Sequence, residues 1–346
     1  MFHRLGVLLA VILAMLSAVP AFAVDGNPEP AVYAMSNDHN GNTVVMYERA
    51  ANGALTLVGS FATGGIGRTT EPDDALGSQN PLILSPDGEW LFAVNAGSNS
   101  ITSFKVKKKE LKLDGVVPSG GDFPASLTLH GNLLYVLNAG GDANITGFTV
   151  DSNGNLTPLA GSTRSLNAGG NNPPFFLDSP AQIGFNPAGD KLVVTVKGAA
   201  IQAPKIHVFA IDGNGLPSAQ PVTTTARVPF GFVFDAQSNL IVAEPFGAGF
   251  PPPGTKGAAG SYQIAADGSL VEISMPVGNG QTATCWIAIT PDGRFAYTTN
   301  IGTSNISSYS VASDGSLTLL NSVAAASCPR PVDLTITPDG AYMYNV

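Results

Sequence analysis

Outside its first 23 residues the sequence holds three histidines, His39, His130 and His207. Only His39 has the surroundings of an acid–base group. It stands in the turn Asn37-Asp38-His39-Asn40-Gly41, where an imidazole either moves a proton or merely serves the turn. His130 precedes Gly131-Asn132 and reads as a strand-to-strand turn. His207 lies in the alternating run Lys205-Ile206-His207-Val208-Phe209-Ala210 and reads as packing.

Two other charged residues stand out by position. Lys197 and Glu244 end apolar runs that elsewhere end in Asn. They read as equivalent sites on neighbouring units, so they form either an ion pair or part of a ligand site. Glu244 also opens the Pro/Gly-rich stretch 245–257, whose Phe246 and Phe250 suit a ligand contact over a concave face. A second long stretch, 62–80, carries Arg68, Glu71, Asp73 and Asp74, either as ligand groups or as a solvated loop.

Other chemistries lack their sequence signatures. No His pair has zinc-ligand spacing and no Cys-x-x-Cys occurs, so no transition-metal centre is expected. A calcium ion held by loop carbonyls would leave little trace and stays open. There is no Gly-x-Ser-x-Gly elbow and no Gly-rich phosphate loop, and no cofactor is implied.

These residues hang on a repeat. An apolar run, a small-residue turn and a second alternating run recur seven times, ending at Asn37, Asn95, Asn138, Lys197, Glu244, Asn300 and Asn345. The spacing averages about 51 residues, a period that predicts a β-propeller with several strands per unit. One unit reads as four strands: 81–85, 90–95, 101–106 and 111–117. Pro-Asp-Gly at 86–88, 291–293 and 338–340 marks one class of turn. Asn52-Gly53, Asn153-Gly154, Asp267-Gly268 and Asp314-Gly315 mark another, expected as type I′ hairpins. Leu84, Val94 and Ile289 are expected in buried contacts between units. The expected architecture is an all-β, seven-bladed β-propeller. Its first unit lacks an innermost strand and its last stops after two strands, so the last blade and the ring closure are expected to be truncated.

Residues 1–23, with Arg4, the apolar stretch 5–16 and Ala21-Phe22-Ala23, read as a cleavable signal peptide, leaving 24–346 as a single propeller domain. The protein is then secreted or periplasmic, with no membrane span after cleavage. Its net charge of −9 gives it no electrostatic reason to bind nucleic acid. The basic run Lys107-Lys108-Lys109 falls at a hairpin turn. Cys285 and Cys328 lie nearly one repeat apart. In an exported chain they are expected to form a disulfide between adjacent blades, the alternative being two separate thiols.

The units Ser85-Pro-Asp-Gly-Glu-Trp-Leu-Phe-Ala-Val-Asn95 and Cys285-Trp-Ile-Ala-Ile-Thr-Pro-Asp-Gly-Arg-Phe-Ala-Tyr-Thr-Thr-Asn300 resemble the lactonase family of seven-bladed propellers. That family includes 6-phosphogluconolactonases and 3-carboxymuconate cyclase-like enzymes. The resemblance implies work on lactone rings by His, Arg and Glu side chains at the central cleft. The corresponding entrances of the innermost strands hold Gln79 and Asn80, Ser126, Gln182, Gly231, Trp286 and Arg330. Of these only Arg330 is a charged residue of the family type, and none is His.

Two functions are therefore expected to compete. One is a non-catalytic propeller that binds a small molecule, glycan or protein. The other is a lactone-ring hydrolase or cyclase. In the second, Glu244, Arg330 and His39 form the catalytic set, while Lys197, Gln182, Trp286 and Gln79 contact the substrate.

Overall fold

The computed structural model describes residues 30–68, 76–168, 170–200, 203–245 and 256–346. The signal segment, the acidic residues Glu71, Asp73 and Asp74, and Phe246 and Phe250 lie outside the described residues. Seven antiparallel sheets follow one another along the chain. Blade 1 has three strands, Ala31–Met35, Thr43–Arg49 and Leu55–Ala62. Blade 2 has four, Leu82–Leu84, Trp90–Asn95, Ser100–Lys107 and Glu110–Pro118. Blade 3 runs through Pro124–His130, Leu133–Asn138 and Asn144–Val150, with an outer edge split between Leu156–Pro158 and Arg164–Ser165. Blade 4 is Pro180–Phe185, Lys191–Val196, Lys205–Ala210 and Val222–Thr225. Blade 5 is Phe232–Phe234, Leu240–Glu244, Ala258–Ile264 and Leu270–Gly278. Blade 6 is Thr284–Ile289, Phe295–Asn300, Asn305–Val311 and Leu317–Ala326, and blade 7 is the pair Leu334–Ile336 and Met343–Asn345. The fold is the expected all-β propeller, with a three-stranded first sheet and a two-stranded last one.

Strand alternation explains why the blades stack. In the second strand of blade 2, Leu91 and Ala93 pack on Val44 of blade 1. Phe92 and Val94 on its other face pack on Ala125, Leu127 and Val136 of blade 3. The run is apolar on both faces because both are covered, as in any strand sandwiched between layers. Similar clusters join blades 3 and 4, 4 and 5, and 5 and 6. Val94 is fully buried and Ile289 packs against the cluster between blades 5 and 6. Leu84 departs from expectation and is exposed, because the inner strand of blade 2 ends there at the turn.

The Asn/Asp-Gly turns also differ from the expected type. Only the glycines take positive φ, for example 83° at Gly53 and 85° at Gly315; the residues before them do not. Each glycine N–H donates to the carbonyl three residues back (Gly53 to Ala50, Gly315 to Ala312). At 52, 267 and 314 the Asn or Asp side chain accepts from the N–H two residues on (Ala54 to Asn52, Ser316 to Asp314), while at 153–154 Asp151 accepts from Asn153 and Asn155. This is a type I turn followed by a left-handed residue, which needs Gly once rather than positive φ twice.

Blades 1 and 7 meet through side chains. Tyr342 and Tyr344 donate hydroxyl hydrogen bonds of 2.8 Å to the carbonyls of Ala51 and Gly53. Arg49 lies 5.4 Å over the Tyr342 ring and 3.7 Å from Asp339.

Candidate functional site

The loops entering the inner strands and those between second and third strands share one face of the ring. His39, Lys197, Glu244 and Arg330 all fall on it, as expected, but they do not form one cluster. His39 is exposed, with its Nδ1 3.7 Å from Asp38. Arg330 is exposed in a left-handed conformation (φ 61°), its backbone N–H donating to Ser304 Oγ.

The centre of that face is closed. Residues 77–80 leave the path of the blade 2 inner strand and cross the ring axis, bonding to blades 3, 4 and 6 and lying against blade 5. The Leu127 N–H of blade 3 donates to the Asn80 carbonyl, and the Gln79 N–H donates to Ala181 of blade 4. Ser78 Oγ donates to the Ala125 carbonyl of blade 3 at 2.7 Å. The Gln79 amide clips the backbone of Ile287 on blade 6, giving Nε2–H to its carbonyl (2.8 Å) and accepting its N–H at Oε1 (3.1 Å). Gly231 of blade 5 lies so close beneath that a Cβ there would fall 2.0 Å from Gln79 Oε1. Gln182 makes the same two-way clip to Phe232, at 3.0 and 2.6 Å.

Of the residues expected to hold substrate, Lys197 and Trp286 bond to this segment, Gln79 is part of it, and Gln182 bonds to Phe232 instead. Lys197, fully buried, donates from Nζ to the Gly77 carbonyl. Trp286 donates from Nε1 to the Ser78 carbonyl at 2.9 Å. Phe230 stands between them, 4.9 Å from Lys197 Nζ and 4.9 Å centroid to centroid from Trp286. Gln79 and Gln182 act as stitches between inner strands rather than as lining of an open channel.

Lys197 and Glu244 are not equivalent. In blades 2, 3 and 6 the final Asn of the second strand pairs with the first residue of the third strand: Asn95 with Ser100, Asn138 with Asn144, Asn300 with Asn305. Glu244 holds that register against Ala258, but in blade 4 it is Val196, against Lys205. Lys197 is one residue further on, and a one-residue step along a strand sends the side chain to the other face. It reaches the centre, while Glu244 faces blade 4 with Val242 and Leu240.

The asparagines are clamps. Asn300 Nδ2 donates to Asn305 Oδ1 and Ser307 Oγ at 2.8 Å, and its Oδ1 accepts from Asn279 and Thr284 at 3.0 and 2.6 Å. Asn95 makes the corresponding bonds to Ser100, Thr102 and Asn42. Blade 5 breaks this pattern twice. Glu replaces Asn at 244, and Gly260 stands where blades 2, 3 and 6 carry the hydroxyls of Thr102, Thr146 and Ser307. A Cβ at 260 would lie 3.3 Å from Glu244 Oε1, so the glycine admits the longer acid.

Glu244 is fully buried. Its Oε1 accepts from the Tyr262 hydroxyl at 3.3 Å, and its Oε2 has no hydrogen-bond partner. Burial pushes its pKa up to about 8, against the pull of the Arg227 charge and the Tyr262 hydrogen bond. A carboxyl so placed is mostly protonated at pH 7. Tyr262 is pushed up in turn by its own burial and by Glu244. The sequence signal for this pair was Glu244 itself; Gly260 becomes readable only once the strand register shows which hydroxyl it replaces.

The expected disulfide is absent. Cys285 is buried in the inner strand of blade 6 within the cluster holding Ala181, Phe230 and Trp286. Cys328 is exposed on the approach to blade 7, where its Sγ accepts from Asn345 Nδ2 at 3.2 Å. Matching repeat positions on adjacent blades splay apart with the ring, and one of these two lies in the core while the other faces solvent. His207 is packing, as read: buried, with Nδ1 2.8 Å from Thr223 Oγ1, and with its pKa lowered to about 4 by burial and by Lys205. Among the described residues no group of three or more His, Cys, Asp or Glu is placed to hold a metal ion, and no helix is long and apolar enough to cross a membrane.

No curated protein sequence matches the chain. Among solved structures it is similar to a candidate 6-phosphogluconolactonase from Bacteroides fragilis (19% identity, 91% of this chain and 86% of that one, TM-score 0.63). A protein from Lactobacillus plantarum is similar at 18% identity over 88% and 84% of the two chains, TM-score 0.65. A candidate 6-phosphogluconolactonase from Bacteroides uniformis follows at 19%, 87% and 84%, TM-score 0.61. At these identities the likeness speaks for the fold. The sequence pattern of the family described as "Lactonase, 7-bladed beta-propeller" matches residues 41–169 and 261–346, more than half of the chain, and the protein belongs to that family.

Proposed function

We propose that this protein hydrolyses the lactone ring of a small organic or sugar acid, with Glu244 as the group that moves the proton. The observation that carries the reading is a buried carboxyl with one unpartnered oxygen and a pKa of about 8, at a position where sister blades have a neutral clamp. A general base works best when its pKa lies near the working pH. In its ionised form Glu244 takes a proton from water as the water oxygen bonds to the lactone carbonyl carbon. The ring C–O bond then breaks, and the leaving alkoxide takes the proton back from the carboxyl, giving the open hydroxy acid. Lys197 is the cation assigned to a free carboxylate on the substrate, which muconolactone carries and gluconolactone lacks. His39 and Arg330, exposed on blades 1 and 7, take no part in this reading. The leader read over residues 1–23 puts the reaction outside the cytoplasm.

The test is hydrolysis of gluconolactone and muconolactone by the wild type and by Glu244→Gln between pH 6 and 9. The expected result is a rate that climbs through about pH 8 and falls roughly 100-fold in the variant. Absence of turnover in the wild type, or equal turnover in both, overturns the reading. Ligand binding without turnover is the other outcome of that test, with the bonds of Lys197, Trp286, Gln79 and Gln182 to the chain's own backbone having to yield in either case. Tight binding of an unaltered lactone or acid, with no product formed, would carry it.

A further inference from the structure

We infer that residues 77–80 are an autoinhibitory plug, and that a small carboxylate displaces them to bind Lys197 Nζ and Trp286 Nε1 in the Phe230–Trp286 corner. The inference deepens the hydrolase reading by adding regulation at the ring centre, but its binding step does not depend on turnover.

Three features carry it. First, the plug breaks the repeat. The inner strand of blade 2, Leu82–Leu84, is as short as those of blades 5 and 7, but the residues before it bond across the ring, Gln79 reaching Ile287 of blade 6. The residues before it have left the ladder to cross the axis. A local departure from an otherwise regular fold marks a functional place more often than a defect.

Second, the plug presents ligand-like atoms. Two successive backbone carbonyls, Gly77 and Ser78, accept from an ammonium and an indole N–H, both at least 98% buried. Charge-assisted bonds are stronger to a carboxylate than to a neutral carbonyl, so an acid offering two oxygens in that place is the better acceptor. Phe230 lies against both donors, 4.9 Å from Lys197 Nζ and 4.9 Å centroid to centroid from Trp286.

Third, beyond the two bonds that the acid would take over, the plug is held by polar bonds that water can replace once it moves out. Its anchors are the Gln79 clip on Ile287, the Ser78 hydroxyl on Ala125 and backbone bonds to Ala181 and Leu127. A site open only a fraction of the time binds more weakly by that fraction, and loosening the plug removes the handicap.

The experiment is calorimetric titration of the full chain with sodium gluconate and with muconate, alongside Gln79→Ala and Gln79→Ala/Lys197→Met. The alanine variant loses the clip and is expected to bind one of the two acids about tenfold tighter than wild type; adding Lys197→Met is expected to abolish that gain. In the wild type, saturating acid is expected to speed hydrogen exchange at the Gln79 and Leu127 amides, whose bonds tie the plug to blades 4 and 3. That measurement stands even where Gln79→Ala fails to fold. No binding of either acid, binding that is no tighter in Gln79→Ala, a gain that survives Lys197→Met, or binding with unchanged exchange at those two amides overturns the inference. Binding as expected with no lactone turnover would sink the hydrolase reading and leave the plug standing. Turnover with none of these binding effects would do the reverse.

Discussion

Glu244 and His207 are both buried and both titrate away from their ordinary values, yet they act on stability in opposite directions. Glu244 has a folded pKa of about 8 against 4.5 for an unperturbed group. Below about pH 4.5 both folded and unfolded chains carry the proton and the residue is neutral in the balance. From there up to about pH 8 the unfolded chain ionises while the folded one resists, so stability is lost as pH rises through that window. Glu244→Gln is therefore expected to melt higher than wild type at about pH 8, with the gap closing towards about pH 4.5. Melting curves at both pH values check this, and a gap of the same size at both would remove burial as the cause of the raised pKa. His207 runs the other way. Its folded pKa of about 4 lies below 6.5, so its contribution is intact above about pH 6.5 and is lost as pH falls towards about 4. His207→Gln should flatten the acid limb of the stability profile between those values, read from urea midpoints. An unchanged slope would mean that the ring takes up its proton without unfolding.

At the scale of the strand, the terminal Asn of three blades is worth more than its size. Asn300→Ala would strip partners from Asn279, Thr284, Asn305 and Ser307 at once, all in a buried setting. Orphaned buried polar groups cost about 1–3 kcal/mol each before water relieves them, so a loss of about 3 kcal/mol is expected, measured by denaturant unfolding. A loss under about 1 kcal/mol would show that water replaces the clamp. The same strand ends separate what was legible in the sequence from what was not. Runs such as 90–95 and 133–138 announced the strands, because a strand covered on both faces must be apolar throughout. Glu244 was legible as a charge at the end of such a run. The pairing of Lys197 with it was not, because the two differ by one residue of register, and register shows only in the partner strand. Gln79 read as a channel entrance since nothing in a linear repeat says that residues 77–80 leave their own blade and cross to the opposite side. The cysteines matched by repeat position, but repeat position fixes height and angle in the ring, not depth.

For the whole molecule, the question is what holds the first blade to the last. Blades 2 to 6 are joined by continuous apolar clusters and by inner-strand stitches that run from Asn80 through Ser126, Gln182 and Gly231 back to Gln79. Blades 1 and 7 meet through a polar clasp instead: two tyrosine hydroxyls on the 51–53 turn, with Arg49 between the Tyr342 ring and Asp339. Partly exposed hydrogen bonds of this kind contribute about 0.5–1.5 kcal/mol each, and the exposed ion pair adds little. Stability in a ring of modules is close to a sum of neighbour terms, so weakening one junction should loosen the two blades beside it and spare those opposite. In the Tyr342→Phe/Tyr344→Phe chain, hydrogen exchange is therefore expected to rise in Ala31–Met35, Thr43–Arg49 and Met343–Asn345. Leu133–Asn138 and Lys191–Val196, across the ring, should keep their protection, because the stitched inner strands of blades 2 to 6 close on each other without passing through the clasp. Exchange that rises equally in all five strands would mean that the molecule opens as one unit, and that the clasp, not the plugged centre, is what keeps the ring shut.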